Sequence, residues 1–359
     1  MPRTGRRQGD VEGVTVWEVE NGTPFQASGN WIRDRDGAEV WLVAVRCTFD
    51  LHADGTTSVA ATQEPPVLAP EFWGEPSLSS LKYDSDFHLT KPTTDVIVHA
   101  HAYAPHQTPT TQVDVALRVG DVTKALRVTG TRTYERGLVG LTTTPPQPFL
   151  RLPIRYERSH GGSEPPSSGD PDRPKFEMRN PIGAGFAPTP GGVVPGVEYT
   201  GRRSTSLPAG FGPIPAHWQP RAGHAGTYDD AWQKHRIPLY PHDLDDRFFL
   251  CSPEDQRPKQ FLRGGERVDL ANLTPEGRLS FVLPRLAFRF ETMFRGKPSM
   301  THRGSLHSVI LEPDEHRVVL VWHTALRAHA DVHRLDETYV SQLRVLNSPG
   351  VPGDDDESK

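Results

Sequence analysis

Cysteine is nearly absent from this chain. Cys47 and Cys251 are the only two in 359 residues, and they stand far apart in no motif. One bridge between them is open to the chain, but a disulfide framework is not. Long hydrophobic runs are missing as well: the longest strongly apolar run, Val40 to Val45, is far too short to span a membrane. The basic start (Arg3, Arg6, Arg7) leads into Glu12, Glu18 and Glu20 rather than an apolar stretch. No signal peptide is expected, and a soluble cytoplasmic protein is the default reading. Positive charge is in the minority, with 40 Lys and Arg against 45 Asp and Glu and a net charge of −5. Phosphate binding needs a clear basic excess, so nucleic acid is not expected as the main partner. No period of 20–50 residues repeats, which sets aside solenoids and propellers.

What the chain does have is turn chemistry. Glycine (32) and proline (35) make up roughly 19% of the residues, against a usual ~12%. That favours β over α, and the length suffices for a core without disulfide or metal staples. Val40 to Leu51 reads as a buried strand, leading through Asp54-Gly55 into Thr56 to Thr62. Trp31 and the polar 33–37 loop are expected to form the turn before it. Asp95 to Tyr103 alternates cleanly. Gln112 to Val119 and Val122 to Thr129, joined at Gly120-Asp121, form the strongest hairpin. Further strands are expected at Arg278 to Leu283, Leu286 to Phe290, Leu306 to Leu311 and Arg317 to Trp322. Asp229 to His235 reads as a short helix, and Leu335, Tyr339 and Leu343, with Val340 beside them, predict a terminal amphipathic helix.

Between Leu207 and Gln256 neither period runs for long, yet Trp218, Trp232, Tyr228, Tyr240, Phe211, Phe248 and Phe249 crowd among prolines and charges. So long an irregular stretch inside a compact domain is either functional or held by its own side chains. The predicted architecture is mainly β: a sandwich-like antiparallel core, a long irregular Pro/Gly/aromatic layer across it, and few short helices. Residues 1–11 and the acidic 348–359 are expected as disordered tails around a single domain, 12–347.

Reaction centres are harder to find. His99 and His101 share a strand face but lack a third ligand. His329 and His333 in HADVH lack the glutamate of a zinc-protease helix. His242, Asp243, Asp245 and Asp246 form the densest cluster, without EF-hand spacing. Salt bridges and turn bonds explain that cluster better than a cation. The Asn180–Phe186 stretch places Gly183 and Gly185 close together, but no strand leads in and no helix leads out, so tight turns beside Phe186 are expected rather than a phosphate cradle. There is no nucleophile elbow. No metal or cofactor is called for. Trp218, Arg221, Tyr228 and Trp232 are of the types enriched at protein interfaces, and they are the candidate contact residues.

An ordered series of motifs carries a resemblance. It runs from Lys91-Pro-Thr-Thr-Asp-Val96 through Ala102-Tyr-Ala-Pro105, Arg118-Val-Gly120, Val128-Thr-Gly-Thr-Arg132, Pro148-Phe149, Leu152-Pro-Ile-Arg-Tyr-Glu-Arg158, Gly161-Gly162, the Asn180–Phe186 stretch and Pro208-Ala-Gly-Phe-Gly-Pro213. It closes with Trp218, Arg221, Gly226-Thr-Tyr-Asp229, Trp232, Asp243, Asp245 and Ser252-Pro-Glu-Asp-Gln256. Over roughly residues 80 to 285 the chain resembles a bacterial domain-of-unknown-function family found beside type VI secretion genes. The resemblance implies a cytoplasmic adaptor or chaperone that loads a toxin effector, or its PAAR-type tip domain, onto the secretion spike. It transfers no catalytic residue. His160 departs from the aromatic usual before Gly161-Gly162, and Cys251 from the small or amide residues usual there. The expected partners are therefore an effector, a PAAR-type tip protein, or the spike protein itself, with no nucleic acid and no membrane. Two other readings stay open: a metal-assisted hydrolase using the histidine and aspartate groups above, and a structural piece of the spike.

Overall fold

A computed structural model describes residues 17–164, 175–201 and 206–343. The expected tails 1–11 and 348–359 lie outside the described residues. In chain order the first strands are β1 (Glu18–Asn21), β2 (Gln26–Arg33), β3 (Glu39–Leu51), β4 (Thr57–Val59), β5 (Glu71–Phe72) and β6 (Leu81–Tyr83). Next come β7 (Asp95–Val98), β8 (His101–Tyr103), β9 (Gln112–Val119) and β10 (Val122–Thr129). Short pieces follow: β11 (Tyr134–Arg136), β12 (Leu141–Thr143), β13 (Arg151–Pro153), β14 (His160–Gly161), β15 (Ala184–Gly185) and β16 (Val197–Tyr199). One helix, α1 (Asp230–His235), sits in the irregular stretch. The chain ends on β17 (Arg267–Ala271), β18 (Arg278–Val282), β19 (Phe288–Phe294), β20 (Lys297–Arg303), β21 (Ser305–Glu312), β22 (Arg317–Arg327) and β23 (Leu335–Gln342). No helix among the described residues is long and apolar enough to cross a membrane.

Three sheets carry the core. The largest has the order β2-β3-β22-β21-β7 with β4 beside β3. The others are β16-β10-β9-β17-β18 and β1-β23-β19-β20. From the large sheet, Val43, Val45, Val318, Leu320, Val96 and Val98 turn one way. They meet Val115, Leu117, Leu126, Val268 and Leu270 of the five-stranded sheet, with Phe290 and Val340 of the four-stranded sheet, in one cluster. The opposite face is covered too. Ile97, Ile310, Val319 and Val321 pack with Val67, Tyr83 and Cys251, and Val40, Leu42 and Ala44 pack with Phe87. A strand buried on both faces reads as a continuous apolar run, which is why β3 looked buried in the sequence. The mainly-β prediction holds: stacked sheets with an irregular layer across the outer face of the largest.

Three local expectations fail. The terminal helix is instead β23, parallel to β1 and antiparallel to β19. Thr338 and Val340 are buried while Tyr339 between them is exposed, a period of two; the spacing of Leu335, Tyr339 and Leu343 mimicked a helical face. Trp31 lies in β2 opposite Trp41 rather than in a turn. The 95–103 stretch divides into β7, paired with β21, and β8, paired with β13.

Candidate functional site

The irregular layer is fastened to the large sheet by buried polar pins. Asp95, at the start of β7, accepts hydrogen bonds from Lys91 Nζ (2.7 Å), Ser252 N (2.8 Å), Ser252 Oγ (2.6 Å) and Cys251 N (3.1 Å). Burial works against its charge, but Lys91 and Ser252 hold its pKa down at about 2. Gln256 Nε2 donates to Val96 O and Phe211 O, while its Oε1 accepts from Lys124 Nζ at 2.8 Å. Burial pushes the Cys251 thiol well above its ordinary range, so it stays protonated, and its Sγ donates to Asp95 Oδ2 at 3.5 Å.

Arg221 is a further buried pin. Its side chain is 2% exposed, and Nη2 lies 2.6 Å from Asp84 Oδ2. Nε donates to Phe248 O (2.7 Å) and Nη1 to Ile214 O (2.9 Å). Burial opposes ionisation of Asp84, yet Arg221 and His88 hold its carboxyl far below the usual range. Trp218, also 2% exposed, packs edge-on against Tyr156 at 5.7 Å. Trp218 and Arg221, expected as contact residues, are thus interior in this structure. A composition argument cannot separate an aromatic or Arg at an interface from one inside a core, because both environments reward large side chains with fixed partners.

The other two expected contacts lie on a largely exposed lobe, residues 226–243. Asp229 caps α1 by accepting from Trp232 N at 2.8 Å. Trp232 is half-buried, donates Nε1 to Leu239 O at 2.9 Å, and meets Tyr228 edge-on at 4.6 Å. Tyr228 is 51% exposed and Ile237 54%. None of the six helix residues is buried. Arg236 ties the lobe to the β2–β3 loop by donating to Arg35 O. At its foot, Asp243 accepts from Thr227 N (3.0 Å) and Thr227 Oγ1 (2.7 Å), and Asp245 accepts from Arg247 N while pairing with its guanidinium. Four residues from one short segment thus divide into two interior anchors and two surface aromatics.

The Asn180–Phe186 stretch is a turn clamp. Asn180, fully buried, donates Nδ2 to Tyr156 O (2.8 Å) and His160 O (2.9 Å). A Cβ on Gly183 would fall 2.3 Å from Asn180 Nδ2 and 2.6 Å from Ser159 O. Gly185 has φ +85° and pairs with Gly161, and Phe186 is half-buried beside it.

The histidine groupings are separated by the fold. Asp243 and Asp245 are turned to Thr227 and Arg247 as above, and His242 is exposed. His99 and His101 do border one cleft of about 310 Å³ with Glu312 and Asp314. There His101 Nδ1 lies 2.8 Å from Asp314 Oδ2, Tyr103 OH donates to Asp314 Oδ1 at 2.6 Å, and Arg317 Nε lies 2.6 Å from Glu312 Oε2. No group of three or more His, Cys, Asp or Glu able to hold a metal ion occurs among the described residues. Sequence reasoning missed the cleft's cations. Arg155 sits 3.7 Å from the Trp73 ring centre and Lys82 5.0 Å from it. Arg155 belongs to the Leu152–Arg158 motif, which was the available signal.

Fold and site together define a β-sandwich protein whose ordered motifs fasten an aromatic-bearing layer onto its largest sheet. The chain belongs to the bacterial family described as "Uncharacterized protein conserved in bacteria (DUF2169)", whose model matches residues 36–323. No curated protein and no solved structure matches the chain.

Proposed function

We propose that this protein is a cytoplasmic adaptor of type VI secretion that holds a toxin effector, or its PAAR-type tip domain, for loading onto the spike. The observation that carries the reading is the lobe: a capped helix with no buried residue, bearing exposed Tyr228 and Ile237 beside Trp232, on a layer anchored by Arg221. A surface already held in place loses little entropy on binding, and aromatic side chains give large contact area at few rotors. The ordered motif series supplies the secretion context, and its residues are the ones that fasten the layer.

The test is co-purification with the effector or tip protein encoded beside this gene. The double variant Tyr228→Ala/Ile237→Ala removes exposed area without touching the anchors. Loss of two central anchors is expected to weaken capture by at least about thirtyfold with the melting temperature unchanged. Capture at wild-type strength would remove the lobe from the interface.

A further inference from the structure

The cleft beyond the end of β7 has a charge arrangement that the fold itself does not use. Two of its three carboxylates are committed, Glu312 to Tyr83 OH and Arg317 and Asp314 to His101 and Tyr103, and the third, Glu315, is exposed. Two of its cations are not committed. Arg155 and Lys82 line the cleft, both seated over the Trp73 ring, and neither makes a salt bridge among the described residues. Glu157, the carboxylate nearest Arg155 in sequence, is turned to Ser80, whose backbone N–H and hydroxyl both donate to it. Burial pulls the basicity of Arg155 below its ordinary value, with Glu157 and Asp314 only partly opposing. A half-buried guanidinium stacked on an indole and lacking a carboxylate partner is a site awaiting an anion.

His99 borders the same cleft: it is 9% exposed and lies edge-on to Trp73 and to Tyr83 at 5.5 Å. Leu81, Ile154 and Tyr156 add an apolar wall. A space of about 310 Å³ is at the small end for ligand sites and takes one or two side chains rather than a folded domain.

We infer that the cleft binds an acidic segment of a partner polypeptide, its carboxylate held by Arg155 and Lys82 and its flanking apolar side chain laid against Trp73. A monoanionic carboxylate suits the site better than a phosphate dianion, because Glu312, Asp314 and Glu315 border the same space and repel the second charge. The assignment stands on the cleft alone and does not depend on the aromatic lobe or on type VI secretion.

The experiment titrates the full-length protein with a fluorescein-labelled blocked peptide, Leu-Glu-Leu-Asp-Leu, and with its amide counterpart, Leu-Gln-Leu-Asn-Leu, in low salt. Saturable binding of the acidic peptide is expected, at least tenfold tighter than the amide form. The Arg155→Gln and Lys82→Gln variants, checked for wild-type circular dichroism and melting, should each lose at least fivefold. Lys82→Gln keeps the test decisive if Arg155→Gln proves unstable. Equal affinity for the two peptides, no saturable binding, or unchanged affinity in the folded variants would overturn the assignment. So would displacement of the acidic peptide by inorganic phosphate at lower concentration than by acetate, which would make the site one for phosphate.

Discussion

Replacing Arg221 with methionine separates an anchor from a contact residue. The substitution keeps the length and removes the charge. It leaves Asp84 without its 2.6 Å partner and strips Phe248 O and Ile214 O of their donors. Breaking one side of a buried ion pair costs about 3–5 kcal/mol, because the remaining charge stays buried and uncompensated. At roughly 2.1 cal/mol/K per residue of unfolding entropy, that corresponds to a fall in melting temperature of about 4–7 °C for a chain this long. Urea unfolding followed by tryptophan fluorescence gives the free energy directly. Hydrogen exchange should show residues 207–256 opening before the three sheets do. Adding Asp84→Asn should recover part of the loss, since the double variant no longer buries a carboxylate left with His88 as its ion-pair partner. The deficit should persist from pH 8 down to about pH 5. Asp84's folded pKa lies below its ordinary 3.8, so its stabilising charge is present above that value and disappears only as pH falls through the folded pKa. A loss under about 1 kcal/mol, accompanied by lost partner capture, would refute the anchor argument and return Arg221 to the interface.

Two further outcomes follow from the same geometry. Burial holds His99 and His302 down at about 4 and His323 at about 3, from an ordinary 6.5. The unfolded chain therefore takes up protons near 6.5 while the folded chain does not. Stability is full above that pH and falls as pH drops toward 4, by up to about 1.4 kcal/mol per pH unit for each of the three. His307 is likewise held well below its ordinary value by burial, so urea midpoints measured between pH 7 and 5 should slope accordingly and His302→Gln should flatten the slope by about a quarter; a flat profile counts against buried neutral imidazoles. Asn180→Ala strips His160 O of its side-chain donor and leaves Tyr156 O with Ser159 N–H alone, and it should cost about 1–3 kcal/mol, read by thermal melting. A loss within about 0.5 kcal/mol would mean the clamp is not closed in solution.

Legibility in the sequence followed local periodicity. The β9–β10 hairpin declared itself because a solvated outer face alternates with a buried inner one around Gly120-Asp121. β3 and β22 declared themselves because both of their faces are covered. β20 did not, since its residues are mostly exposed and carry no pattern, and β23 was misread because four-residue spacing also recurs on an alternating strand. The cleft was half legible. Its histidines were noticed in β7–β8, but Arg155 and Lys82 meet Trp73 only once β6, β13 and the 154–156 segment converge.

By itself the sequence determined a turn-rich β protein with one short capped helix, because alternation, glycine turns and the Asp229 cap act within a few residues of each other. It also marked the ordered motifs around the irregular stretch. Which of those residues face inward was left to the tertiary structure. Arg221 is interior because Asp84 waits 137 positions earlier in the chain to neutralise it, and Tyr228 stays 51% exposed because no other described residue covers that face of its ring. Burial is a property of what arrives from elsewhere in the chain, and no local pattern encodes the arrival.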